Sequence, residues 1–126
     1  MQRHSSHHHN LIGVLRRRLG LTQGDVAFLL RDYRDSYVSK LEGGSRAPDL
    51  FNALVAELVF QMPAGRIFGG LRNRARRHLT RRIALLLAKV RRSPATPRRS
   101  QRKAQLTRIL ASIQKRDTRE LAIKDP

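Results

Sequence analysis

From Asn10 onward, apolar residues recur every three or four positions and nowhere alternate, so the pattern is helical throughout. Leu11, Val14, Leu15 and Leu19 share one face of a first helix, with Arg16, Arg17 and Arg18 mostly off it, and Gly20 stands where a glycine ends a helix. Thr22 is a good N-cap for a second helix whose apolar face is Val26, Ala27, Leu29 and Leu30. Residues 31–36 are a polar run that reads as a turn, and Val38 and Leu41, three apart, mark a third short helix. Residues 43–48 hold two glycines and a proline and form a loop. Asp49 then caps a fourth helix in which Phe51, Leu54, Val55, Leu58 and Val59 are expected to face inward. Pro63 fits the first turn of a fifth short helix ending at Phe68, with Gly69 and Gly70 as its stop.

Past the two glycines, Leu71, Ala75, Leu79, Ile83, Leu86, Leu87 and Val90 keep the helical spacing while arginines fill most positions between them. Residues 70–92 are therefore expected to form one long basic amphipathic helix. Pro94 and Pro97 break it, since neither can continue a helix interior. Residues 93–126 are expected to be a basic linker and a weakly ordered helical tail, with a fainter signal in Leu106, Ile109, Leu110 and Ile113 and a last one in Leu121 and Ile123. Residues 1–9 are expected to be a disordered His-rich lead-in without function. The fold class is all-α.

Composition sharpens this division. Of 126 residues, 27 are Lys or Arg and 9 are Asp or Glu, a formal charge of +18. Residues 1–57 carry eight basic and six acidic side chains; residues 58–116 carry seventeen basic and none acidic. A segment so unbalanced repels itself unless a polyanion is near, so nucleic acid or an anionic surface is its natural counterpart. There is no cysteine, hence no disulfide framework and no Cys-based zinc site. The longest apolar run, residues 83–88, is far shorter than a membrane span, and no secretory signal is visible, so the expected location is the cytoplasm, at the nucleoid.

The residues 15–30, Leu-Arg-Arg-Arg-Leu-Gly-Leu-Thr-Gln-Gly-Asp-Val-Ala-Phe-Leu-Leu, followed by residues 37–48, Tyr-Val-Ser-Lys-Leu-Glu-Gly-Gly-Ser-Arg-Ala-Pro, resemble the phage-repressor and Cro-like (XRE-type) helix-turn-helix family. The resemblance spans 10–69 and implies a five-helix DNA-binding domain whose third helix reads the major groove. It implies that Gln23 lies against the DNA backbone, that Ser36, Tyr37 and Lys40 face base edges, and that Arg34 and Asp35 reach the groove rim. It also implies that Arg46 contacts a phosphate and that Glu42 pairs with Arg16 to tie the third helix to the first. The sequence departs from the family at the turn, where residues 31–35 are about two longer than usual and lack the glycine; Asp32 and Asp35 would be repelled by phosphate unless paired with Arg31 or Arg34 or accepting from a cytosine. Tyr37 serves equally well as a packing residue.

The basic half admits three roles. Its stripe can dock against the first domain or join two copies, the latter favoured since related repressors bind as dimers. Its cations, Arg72, Arg76, Arg77, Arg98 and Arg99 foremost, can grip phosphates without regard to sequence. A basic amphipathic helix also suits a membrane surface, but no aromatic residue lies beyond Phe68 to anchor one, so no membrane partner is expected. Scattered acids, a lone His78 and the lack of a phosphate loop after a strand argue against an enzyme, and no metal or cofactor is expected. The expected function is a sequence-specific transcriptional regulator on double-stranded DNA, able to form a homodimer. The alternatives are an antitoxin whose second half wraps a toxin partner, and a nucleoid or RNA coat protein acting through its polycationic half.

Overall fold

The computed structural model describes residues 8–31 and 34–124, with Asp35 and residues 116–124 as backbone only. Among them lie seven helices and no strand: α1 (Ile12–Arg18), α2 (Gln23–Leu29), α3 (Asp35–Gly43), α4 (Leu50–Phe60), α5 (Ala64–Ile67), α6 (Gly69–Arg92) and α7 (Pro97–Lys124). The chain is all-α, in two compact units, Met1–Arg74 and Ala75–Pro126. No helix among the described residues is long and apolar enough to cross a membrane.

In the first unit, local chemistry fixes most helix ends. Thr22 accepts from the Asp25 N–H while Asp25 accepts from the Thr22 N–H, a reciprocal capping box that starts α2. Asp49 accepts from the Asn52 N–H to start α4, and Glu57 reaches forward to accept from the Ala64 N–H at the start of α5. Gly44, at φ +78°, closes α3 in the left-handed conformation.

Two apolar clusters hold the unit together. One joins α2 to α3 through Val26, Ala27, Leu30, Tyr37, Val38 and Leu41. The other joins α1, α4 and α5 through Ile12, Leu15, Ala56, Ile67 and Phe68, and Phe60 packs against both.

Five expectations are corrected. In α1 the buried residues are Ile12 and Leu15, whereas Val14 and Leu19 are exposed. In α4 the most buried residues are Asn52 and Ala56; of the expected set Val55 does pack inward, against the α2–α3 cluster, and Val59 is half-buried, whereas Leu54 and Phe51 are about half exposed and Leu58, like Leu50, is about three-quarters exposed. Nine of the eleven α4 residues are apolar, and a helix apolar almost all round gives no phase from which to pick the buried face.

Gly69 and Gly70 do not stand outside the helices as a stop but open α6, and the boundary between the two units falls within α6, after Arg74. Gly70 is required by contact, not flexibility: its N–H donates to the His9 carbonyl at 2.8 Å, and a Cβ there would collide with the His9 backbone. His8 likewise donates its N–H to Gly44 O at 2.9 Å, and Asn10 Nδ2 donates to Leu41 O at 2.6 Å. Residues 8 and 9 of the expected loose lead-in are thus pinned by backbone hydrogen bonds to the ends of α3 and α6; residues 1–7 lie outside the described residues.

In the second unit, α6 buries Ile83 and Val90, seven apart. The expected linker and weak tail are instead a four-residue turn, 93–96, and one 28-residue helix. Pro97 is the first helical residue of α7, where its missing N–H costs nothing. Thr96 Oγ1 accepts from the Arg99 N–H, and Arg99 Nη1 donates back to Ser93 O at 3.1 Å across the turn. Leu106, Leu110 and Ile113 are half-buried while Ile109 is exposed. The expected signals at Leu121 and Ile123 lie outside the described side chains.

Candidate nucleic-acid interface

The feature built with most support from its surroundings is α3. Arg34, in extended conformation, is its N-cap, so the helix begins two residues before Tyr37. Tyr37, Val38 and Leu41 are buried; Ser36, Ser39 and Lys40 are exposed on the opposite side. Arg34 and Arg46, before and after the helix, are exposed as well. Ser39 is absent from the expected site, although the helical period places it outward once Val38 and Leu41 are inward.

Glu42 belongs to neither set. Its Oε1 accepts from Arg16 Nε at 2.5 Å and its Oε2 accepts from Gln23 Nε2 at 3.0 Å, while Arg16 Nη1 donates to Leu21 O at 2.9 Å. The structure therefore brings Arg16 and Glu42 together, each side chain 14% exposed, and adds Gln23 to the pair. Three helices are tied at one carboxylate, and charge-assisted bonds of this kind are the strong ones. Gln23 uses one of its two side-chain N–H donors here, and the other is left for the DNA backbone that the resemblance implies.

Tyr37 is a correction. It was expected to face base edges, yet it is 6% exposed. Its hydroxyl accepts from Asn52 Nδ2 at 3.0 Å, and Asn52 Oδ1 accepts from the Arg31 N–H at 2.8 Å. The Arg46 guanidinium lies over the Tyr37 ring, 5.3 Å from its centroid. The ring faces the core because its position follows the same period as Val38 and Leu41, and the hydroxyl is tolerated there because Asn52 satisfies it. Asn52, a buried polar residue that pattern reading treats as a neutral helix position, is the hub that sequence reasoning missed. Asp35 belongs to α3, but its side chain and all of Asp32 lie outside the described residues.

The cations expected to hold phosphates separate into two groups. Arg77 and Arg98 are exposed. Arg72 is half-buried with its Cδ where a Cβ on Gly65 would fall, Arg76 is half-buried, and Arg99 closes the turn before α7. Arg81, Arg82, Arg91, Arg92, Arg102, Lys103 and Arg108 add exposed charge along α6 and α7. Among the described residues no group of three or more His, Cys, Asp or Glu could hold a metal ion.

The chain matches no family model, no curated protein and no solved structure.

Proposed function

We propose that the chain is a non-enzymatic regulator that binds double-stranded DNA, with α2, the following turn and α3 acting as a helix-turn-helix and α3 entering the major groove. The observation that carries this reading is the outward face of α3. Ser36, Ser39 and Lys40 are short or cationic side chains, flanked by the exposed Arg34 and Arg46, while the one acid of the helix whose side chain is described is turned inside and neutralised. Such a face fits between two phosphate rows and presents donors to base edges.

The helix is also held rigidly enough to be read as a probe, because Gly44, the Glu42 junction and the Tyr37 hydroxyl each fix it to a different neighbour. The exposed arginines of α6 and α7 supply sequence-independent affinity on the same duplex, and two copies occupy a site with two-fold symmetry. Exposed Leu79, Leu85 and Leu86 on α6 support a contact between copies through that helix.

The test is sequencing of genomic DNA bound by the purified chain, followed by gel shifts. The expected result is a few preferred fragments, with Lys40→Ala narrowing the gap between preferred and random duplex. Equal binding to every fragment, before and after that change, would overturn the reading in favour of a nucleic-acid coat.

A further inference from the structure

Between the end of α2 and the α3–α4 loop lies a recess of 170 Å³ lined by Arg31, Tyr37, Arg46, Ala47, Asp49 and Asn52. Its contents differ from the rest of the surface. Its base is polar and buried: Asn52 is 3% exposed and Tyr37 6%. Because the Tyr37 hydroxyl accepts from Asn52 Nδ2, its own proton remains to be donated to a guest. At the mouth stand two guanidiniums, each resting on a ring: Arg31 lies 4.1 Å above the Phe51 centroid and Arg46 5.3 Å above that of Tyr37. Stacking on rings limits the rotamers of both long side chains, so less entropy is lost when they grip a ligand. Among the described residues Asp49 is the one carboxylate in the lining, and its Oδ1 is already held by the Asn52 N–H. Among the described lining residues two cations face one acid, and 170 Å³ is far more than the ~10–15 Å³ that admits a single water.

We propose that Arg31 and Arg46 together clamp one phosphoryl anion over the Tyr37 hydroxyl, with Asn52 as the positioning residue that holds the tyrosine and the Arg31 backbone in place. Planar guanidiniums match a tetrahedral oxyanion through paired N–H donors, which an ammonium cannot do. The recess opens between the end of α2 and the α3–α4 loop, so under the duplex reading above the anion is a phosphodiester of the backbone beside the groove. Only this choice of source rests on that reading; a free phosphoryl anion satisfies the same chemistry.

The experiment has two arms on the full chain. In the first, inorganic phosphate is titrated at constant ionic strength against ¹⁵N-labelled protein. Saturable shifts of the Asn52 side-chain amide and the Arg31 and Arg46 Nε signals, absent in Arg31→Ala/Arg46→Ala, are expected. Shifts spread evenly over the arginines of α6 and α7 and none in the recess would overturn the clamp. In the second, duplex affinity is followed against salt. One shared phosphate predicts that Arg31→Ala and Arg46→Ala, each leaving one guanidinium on the anion, weaken binding with little change in the log-log slope, and that only the double variant flattens it, by about 0.9. Arg31→Lys/Arg46→Lys is expected to keep the slope while binding more weakly. Losses that add to about 1.8 in the double variant would mean two separate contacts and no clamp. A saturating recess with an unchanged slope would assign it to a free phosphoryl anion. No duplex binding by the unaltered chain would sink the DNA reading and leave the clamp to be decided by the phosphate titration.

Discussion

Single polar side chains carry more of this fold than their number implies. Asn52 satisfies the Tyr37 hydroxyl and the Arg31 N–H from a position 3% exposed, so Asn52→Ala strands two groups at once. A buried group left without its partner costs about 1–3 kcal/mol, and the expected loss is about 3 kcal/mol, read as a lower urea midpoint at unchanged m-value. A loss below about 0.5 kcal/mol, the size of an ordinary surface change, would mean that water replaces the amide freely. Glu42→Ala makes a second case, because Arg16 Nε and Gln23 Nε2 both lose their acceptor. With hydrogen bonds to charged groups worth about 1.5–3 kcal/mol, the expected destabilisation is about 3 kcal/mol, with Glu42→Gln retaining roughly half. The caps at Thr22 and Asp49 were readable in the sequence because a cap is a local arrangement of three or four residues. Asn52 and Tyr37 were not, because each is satisfied by a residue fifteen positions away, and nothing in the spacing of apolar residues encodes that meeting.

At the scale of helices, what was readable is the existence and order of the elements, and what was not is the face each one buries. The contrast between α3 and α4 shows why. In α3 polar residues outnumber apolar ones, so Val38 and Leu41 pick out one side unambiguously. In α4 almost every residue is apolar, and the leucines at 50, 54 and 58, aligned by their spacing of four, turned out to line the exposed side. Leu58→Ala is accordingly expected to change stability by less than about 0.5 kcal/mol, whereas Leu41→Ala, at a site 1% exposed, should cost about 2–5 kcal/mol. Equal losses in thermal unfolding would show that the α4 leucines are covered in solution. The helix α7 was underestimated for a related reason. Pro97 opens the helix and does not break it, since a proline at the first helical position is neutral, and a face of Leu106, Leu110 and Ile113 is enough when good helix formers, Arg, Lys, Gln and Ala, make up most of the remainder.

Over the whole chain the charge is divided as unevenly as the packing: seventeen cations and no acid between residues 58 and 116, against near balance before them. A duplex bound by such a chain meets two physically different terms. Under the proposed reading, base-edge contacts from α3 would act at short range and differ between sequences, whereas the arginines of α6 and α7 would act by releasing counterions and treat every sequence alike. The terms can be separated by substitution, provided the cations chosen do nothing else. Arg72 packs over Gly65 and Arg99 closes the turn before α7, so reversing either would also disturb the fold. Arg77, Arg81 and Arg82 are exposed and serve better. Arg77→Glu/Arg81→Glu/Arg82→Glu should weaken preferred and random duplexes by the same factor and flatten the log-log salt dependence by up to about 2.7, that is about 0.9 for each phosphate released. Lys40→Ala should do the reverse, changing the ratio between preferred and random sites and flattening the slope by no more than about 0.9. If the triple reversal changed the ratio and Lys40→Ala did not, sequence would be read by the polycationic helices, and α3 would be left with a structural role alone.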